Sequence, residues 1–152
     1  MYSKFGQFIE GKWQSSEKKE TYDVINPATE ELIGKASKAS SVDVEKALKS
    51  AESGFELWKK FSPWERANVI KKIADLIRKK NNKLAKWMTL ETGKPMSESL
   101  AEVSGTADIF EWNAEETKRI YGQTVQSRFN DTRVIINYEP VGVVAALSPW
   151  NF

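Results

Sequence analysis

The sequence predicts an α/β protein that opens with short strands, continues through long helical segments and ends on an apolar strand. Three observations carry this prediction. The first forty residues contain turn signals between short alternating runs. Residues 41–121 carry apolar side chains at helical spacing. Residues 141–147, VGVVAAL, are apolar on both faces, which is typical of a central strand in a parallel sheet covered by helices.

The N-terminal region predicts two pairs of short strands. Residues 5–13, FGQFIEGKW, alternate loosely around Glu10-Gly11, a dipeptide that favours a tight turn. A second strand pair flanks Asn26-Pro27 and returns over residues 31–36. Because a residue before proline avoids the helical region, this dipeptide supports the second turn.

The first predicted helix spans residues 41–60. Ser40 and Asp43 have the spacing of a capping pair. One face gathers apolar residues at helical spacing, and we expect it to be buried: Val44, Ala47, Leu48, Ala51, Phe55 and Trp58.

A stronger start signal opens the second helix, where Ser62, Pro63 and Glu65 combine an N-cap, a first-position proline and a capping-box acid. Its predicted buried stripe comprises Ile70, Ile73, Ala74 and Ile77. The KKNNK run at residues 79–83 is expected to interrupt this helix, since asparagine is a weak helix former. Helix then resumes up to Gly93, which suits a left-handed cap.

The third helical segment is predicted from Pro95 to Tyr121, with Gly122 closing it. Its apolar residues step by three and four: Leu100, Val103, Ala107, Phe110 and Ala114. Lys118 and Arg119 fall in the predicted last turn, where cations favour the helix dipole.

Two strands are predicted after this helix, over residues 133–138 and 141–147, with Pro140 between them. A strand buried on both faces needs parallel neighbours, and each neighbour needs a crossover of a dozen or more residues. We therefore expect an incomplete α/β domain, whose 141–147 strand pairs with another copy or is disordered. Alternatively, 141–147 is an interior strand of a small mixed sheet with 133–138 and the N-terminal strands.

Composition excludes several classes of function. With 23 basic and 21 acidic residues, the net charge of +2 gives no electrostatic case for nucleic acid or anionic lipid. No apolar run reaches membrane-spanning length and no secretory signal is evident, so a cytoplasmic location is expected. The chain has no Cys and no His. Disulfides, thiolate or imidazole metal sites, a cysteine nucleophile and a histidine base are therefore excluded, and no metal site is predicted.

Four motifs follow one another in a recognisable order: FIEGKW, INPATEE, ETGKP and EPVGVVAALSPWNF. In this order the chain resembles the N-terminal part of the aldehyde dehydrogenase superfamily. Within it, IFEWNAEETKRIYGQTV is most similar to the succinate-semialdehyde dehydrogenase group. The resemblance implies an N-terminal part of the aldehyde dehydrogenase fold. Residues 1–122 would be strands and helices of the cofactor-binding domain, 123–138 the start of the oligomerisation extension, and 139–152 the first sheet strand with its active-site loop.

The resemblance also implies NAD(P)-dependent oxidation of an aldehyde, for which succinic semialdehyde is a candidate, to a carboxylic acid. A cysteine thiolate attacks the carbonyl, hydride passes to NAD or NADP, and a glutamate-activated water hydrolyses the thioester. In the family, both residues lie beyond the part that this sequence resembles, together with the catalytic domain, in agreement with the absence of cysteine. The chain is therefore expected to be inactive alone, to bind no cofactor by itself and to form a homo-oligomer or strand-swapped dimer. The alternative is a non-catalytic oligomerisation or interaction module derived from that fold.

The family's site residues transfer onto the last motif. Asn151 would donate its side-chain amide to the substrate's carbonyl oxygen, an interaction worth on the order of 3 kcal/mol in a dry site. Residues approaching the nicotinamide would be Leu147, Ser148, Pro149, Trp150 and Asn151. The alternatives are that Asn151 holds its own loop backbone and that Trp150 packs in the core.

The ETGKP motif offers Glu91 and Lys94 as a candidate acid/base pair. We favour a structural interpretation, in which Gly93 caps a helix and the two charges form a solvated pair beside it.

Overall fold

A computed structural model of the chain describes residues 6–148. Within that range, three two-stranded antiparallel sheets and four helices follow one another along the chain. The elements are β1 (Gln7–Ile9), β2 (Lys12–Gln14), β3 (Thr21–Ile25), β4 (Leu32–Ser37), α1 (Ser41–Trp58), α2 (Pro63–Lys79), α3 (Asn81–Thr92), α4 (Met96–Thr117), β5 (Gln123–Gln126) and β6 (Arg133–Ile136). None of these helices is both long and apolar enough to cross a lipid bilayer.

The two predicted N-terminal strand pairs are confirmed as the hairpins β1–β2 and β3–β4. Glu10 and Gly11 both have positive φ, 55° and 73°, as a two-residue turn that matches the strand twist requires. In the second hairpin the Asn26 side-chain oxygen accepts a hydrogen bond from the Ala28 amide at 2.9 Å. The Asn26 side chain thus stabilises the turn by accepting from a backbone amide two residues on, and the turn lies where the Asn-Pro dipeptide predicted it.

Helix α1 begins with the predicted capping box, in which Ser40 and Asp43 exchange hydrogen bonds. Both carboxylate oxygens of Asp43 also accept from the Glu17 amide, at 3.1 and 3.2 Å, so this residue joins the helix start to the loop after β2. The prediction of a buried apolar face on α1 is wrong for this structure. Val44 and Leu48 remain 49% and 46% exposed, because α1 packs mainly on the short strand β1.

The core lies where α4 meets α2 and α3. The fully buried apolar residues of these helices are small, which lets the helix backbones approach closely: Ala67, Ala74, Ala85, Val103, Ala107 and Ala114. The Ser62–Glu65 capping box and the break after Lys79 are confirmed. Of the predicted stripe on α2, Ile73 is 38% exposed, so alanines rather than isoleucines occupy the closest contacts.

Helix α4 ends earlier than predicted, at Thr117. Lys118 follows in right-handed conformation and its Nζ lies 3.1 Å from the Glu115 carboxylate. Local ion pairing therefore accompanies the helix end, and Gly122 does not cap it. Gly122 instead lies at the base of the β5–β6 hairpin, where a Cβ would lie 2.7 Å from the Ile136 carbonyl oxygen.

The predicted strand over 141–147 is not formed in this structure, and the predicted strand over 133–138 is confined to β6. Val141 and Val144 are 91% and 71% exposed. Within residues 6–148 the small mixed sheet is not formed either, since β6 pairs with β5 and each hairpin is a separate sheet. The physical reason is that residues 6–148 place no parallel strand beside this run, and an isolated strand has no partner for its backbone hydrogen bonds.

Candidate functional site

The loop predicted to hold the site residues lies at the end of the described range. Leu147 is 93% exposed and Ser148 is exposed as well. Pro149, Trp150 and Asn151, which carry the predicted cofactor and substrate contacts, lie outside the described residues. The structure therefore brings no other described side chain against Leu147, and the predicted role of each of these five residues stays a prediction.

Two sequence motifs that are far apart in the chain meet at the end of α3. Gly93 caps this helix in the left-handed region, with φ of 75°, as predicted. A Cβ at this position would lie 3.1 Å from Pro27 Cγ in the β3–β4 turn. Glycine is thus required twice here, once for the backbone angle and once for the close approach of the INPATEE turn to the ETGKP turn.

The predicted solvated charge pair in ETGKP is wrong. The Lys94 side chain is only 7% exposed, and its Nζ donates to the Glu102 carboxylate on α4. A hydrogen bond between α3 and α4 themselves joins the Thr89 and Ser99 hydroxyls at 2.8 Å. Burial of a lysine is tolerated because its ammonium has a carboxylate partner. Lys94 therefore fixes the α3–α4 junction, as the structural interpretation of this motif requires.

Glu91 takes no part in that ion pair, and its side chain is half-buried. Its carboxylate forms no hydrogen bond or ion pair with any residue between 6 and 148. Burial raises the pKa of the Glu91 carboxyl above its ordinary value of 4.5, because the charged form loses hydration without gaining a partner.

Glu91 lines a groove of about 610 Å³ that sequence reasoning missed. One face of α3 forms its floor, and the N-terminal hairpins form its wall. The lining residues are Gly6, Trp13, Tyr22, Ala36, Ser37, Lys80, Lys83, Leu84, Trp87 and Glu91. The sequence does carry one sign of this groove. Positions 80, 83, 84, 87 and 91 have helical spacing and share one face, with a Trp between charged residues at the two ends.

A second, shallower cavity of about 580 Å³ lies at the base of the β5–β6 hairpin. Its cation, Arg119, is already held by the Glu116 carboxylate at 2.7 Å. Tyr121 and Tyr138 also line it. Since its charge is neutralised locally, this cavity offers less for ligand recognition than the groove along α3.

Comparison with known proteins connects these features to one family. The sequence profile of the Aldehyde dehydrogenase family matches residues 13–152. The chain is 40% identical over 144 residues to a succinate semialdehyde dehydrogenase of Acinetobacter baylyi, covering 95% of this chain and 30% of that protein. It is 37% identical to a glutarate-semialdehyde dehydrogenase of Pseudomonas aeruginosa, with the same two coverages.

The fold gives the same relationship. The solved structure of a succinate-semialdehyde dehydrogenase from Burkholderia pseudomallei superimposes with a TM-score of 0.87 at 31% identity. The match covers 91% of this chain and 29% of that one. The chain thus spans about 30% of the length of the curated relatives it matches. Since the family profile extends over nearly the whole sequence, the chain belongs to the aldehyde dehydrogenase family.

Proposed function

We propose that the chain is the N-terminal portion of an NAD(P)-dependent aldehyde dehydrogenase that oxidises succinic semialdehyde or a similar acid-bearing aldehyde. The observation that carries this proposal is the profile match over residues 13–152. Relatives at 37–40% identity are named for succinate semialdehyde, glutarate semialdehyde and 3-sulfolactaldehyde. These aldehydes share an anionic group away from the reacting carbonyl, which supports the same substrate class here.

Within that enzyme, the loop at residues 147–151 would lie at the carboxyl end of the first sheet strand, where open α/β sheets bind ligands. Leu147, Ser148, Pro149 and Trp150 would approach the nicotinamide. The amide of Asn151 would donate to the carbonyl oxygen as negative charge develops on it. An amide keeps this donor at every pH, which suits a reaction whose other groups titrate.

The 152-residue chain is proposed to have no turnover of its own. It contains no cysteine, so the family's thiolate nucleophile is not supplied. Residues 141–147 form no strand, and residues 6–148 place no parallel strand beside them to build the sheet on which the family's site depends. Purified protein mixed with succinic semialdehyde and NAD⁺ or NADP⁺ should give no absorbance increase at 340 nm. Protein-dependent NAD(P)H formation, absent from a heat-denatured control, would overturn this.

The role of Asn151 is tested in a protein that carries the rest of the family's length. There, Asn151→Ala should lower kcat about 100- to 1,000-fold, the usual effect of removing one oxyanion donor. KM should change much less, because the hydrogen bond strengthens as charge develops. An unchanged kcat would show that Asn151 holds only its own loop.

A non-catalytic oligomerisation module is the second candidate, and the exposed β5–β6 hairpin favours it. Ile135 is 68% exposed and the hairpin's outer edges are unpaired within the described chain. Sequencing downstream of the Phe152 codon separates the two proposals. An open frame that encodes a later cysteine supports the dehydrogenase, whereas a stop codon supports the module. In either case, we propose that this hairpin or the 141–147 run pairs with a second copy.

A further inference from the structure

The groove along α3 has two chemically different ends. The lining residues along α3 run from Lys80, its N-cap, to Glu91. Eleven residues at about 1.5 Å each separate the two backbones by about 16 Å. Lys80 and Lys83 supply cations at the start of the helix, and Glu91 supplies a carboxylate near its end. The long side chains can reach toward one another, which shortens the span a ligand must bridge.

The charges at both ends are available to a ligand. Neither Lys80 nor Lys83 forms an ion pair with any residue between 6 and 148. The Lys83 ammonium lies 4.9 Å from the centre of the Trp87 ring, so it is held over the groove by an aromatic face. Glu91 is partly desolvated and has no cationic partner in the same range.

Between these ends the lining is aromatic and aliphatic. Trp87 and Leu84 belong to the floor, while Trp13 and Tyr22 stand on the facing hairpins. Trp13 and Tyr22 are 54% and 57% exposed and both line the groove. The Trp13 ring also packs against Phe8, with ring centroids 5.1 Å apart. A volume of about 610 Å³ lies within the usual range for small-molecule sites, which combine apolar walls with a few placed charges.

We propose that this groove is a binding site for a small aromatic zwitterion, whose carboxylate faces Lys80 and Lys83, whose ring lies among Trp13, Tyr22 and Trp87, and whose ammonium faces Glu91. An aromatic ligand with only a carboxylate would pair with Lys80 and Lys83 but leave the Glu91 carboxylate without a cation. An aromatic ligand with only an ammonium would pair with Glu91 but leave the two lysines without an anion. Each partly exposed charge contact is worth at most about 1 kcal/mol, which is about fivefold in affinity.

The site is independent of the proposed dehydrogenase reaction, since it needs neither the 147–151 loop nor a cofactor. Three probes of nearly equal size test it: 4-(aminomethyl)benzoate carries both charges, 4-methylbenzoate lacks the ammonium, and benzylamine lacks the carboxylate. Binding to the 152-residue chain is followed by NMR shifts of the indole N–H signals of Trp13 and Trp87. The zwitterion should bind about fivefold more tightly than either single-charge probe.

Variants assign each contact. Glu91→Gln should remove the preference over 4-methylbenzoate, and Lys80→Gln with Lys83→Gln should remove the preference over benzylamine. Lys86→Gln, on the same helix but outside the groove lining, is the matched control and should change neither ratio. Bound zwitterion should also lower the pKa of Glu91, because an ammonium stabilises its carboxylate.

Three results would overturn the proposal. The first is the absence of saturable shifts at Trp13 and Trp87. The second is equal affinity for all three probes, which would indicate only apolar adsorption. The third is an equal loss of ratio in Lys86→Gln, which would indicate a general charge effect. Circular dichroism of each variant verifies that a lost preference is not a lost fold.

Discussion

The buried ion pair between Lys94 and Glu102 makes the sharpest prediction about stability. Their side chains are 7% and 20% exposed, and the pair joins the turn after α3 to α4 beside the core. Glu102→Gln keeps the size of the side chain but removes the charge that compensates the Lys94 ammonium. Removing one member of a buried ion pair costs about 3 kcal/mol or more.

The size of the effect sets the assay. For a domain of this length, each kcal/mol lowers the melting temperature by about 2–4 °C, so Glu102→Gln should lower it by about 6–12 °C. The double variant Lys94→Met with Glu102→Leu should recover most of that loss, because neither charge remains to be desolvated. Urea denaturation of the single and double variants gives the coupling free energy directly.

The matched control is the exposed pair of Arg119 and Glu116, whose side chains are 48% and 45% exposed. Glu116→Gln should cost less than about 1 kcal/mol, as is usual for surface pairs. The reasoning is refuted if Glu102→Gln is as mild as Glu116→Gln, or if the two substitutions at 94 and 102 are simply additive.

Three further predictions concern backbone strain and titration. Gly93→Ala should destabilise the protein by about 1–2 kcal/mol, because it places a Cβ on a left-handed backbone and against Pro27. Gly54→Ala, in open space on α1, is the control and should be neutral or stabilising. Equal melting temperatures for the two variants would contradict this. Hydrogen bonds from Ser40 and then Glu17 lower the pKa of Asp43 below its ordinary 3.8, so folding stability should be lost as the pH falls below that value. In urea melts at a series of pH values, Asp43→Asn should reduce the dependence of the unfolding free energy on pH. Burial raises the pKa of Glu91, so its ionised form opposes folding. Glu91→Gln should therefore raise the melting temperature at pH 7 but not at pH 4. An equal rise in melting temperature at both pH values would exclude desolvation as the cause.

Local signals in the sequence predicted most element boundaries. The Ser40 and Ser62 capping boxes, the Glu10-Gly11 turn and the Gly93 cap are each determined by a few neighbouring residues, and all are found. These features need no distant partner, because their hydrogen bonds and backbone angles are satisfied within one or two turns of chain.

Features that depend on distant contacts were predicted less well. The apolar face of α1 has the correct helical period, yet Val44 stays exposed because nothing among residues 6–148 covers it. Amphipathic spacing indicates which face can be buried but not what buries it. The charges of ETGKP illustrate the same limit, since Glu102, the partner of Lys94, lies eight residues away on the next helix.

The residues of the candidate sites also differ in how far the sequence could predict them. The residues of the 147–151 loop came from a motif resemblance, and their environment depends on sheet strands that residues 6–148 do not provide. The groove along α3 was invisible to motif reasoning, because its wall residues Trp13 and Tyr22 come from different hairpins. Only the floor residues share a period that the sequence displays.

Hydrogen exchange at the amides of residues 141–147 is the decisive measurement, because it asks whether this apolar segment has a sheet neighbour among residues 6–148. At concentrations where the protein is monomeric, these amides should exchange at the rate of an unstructured peptide, while amides in the middle of α4 exchange far more slowly. Protection of residues 141–147 equal to that of α4 in the monomer would contradict the account.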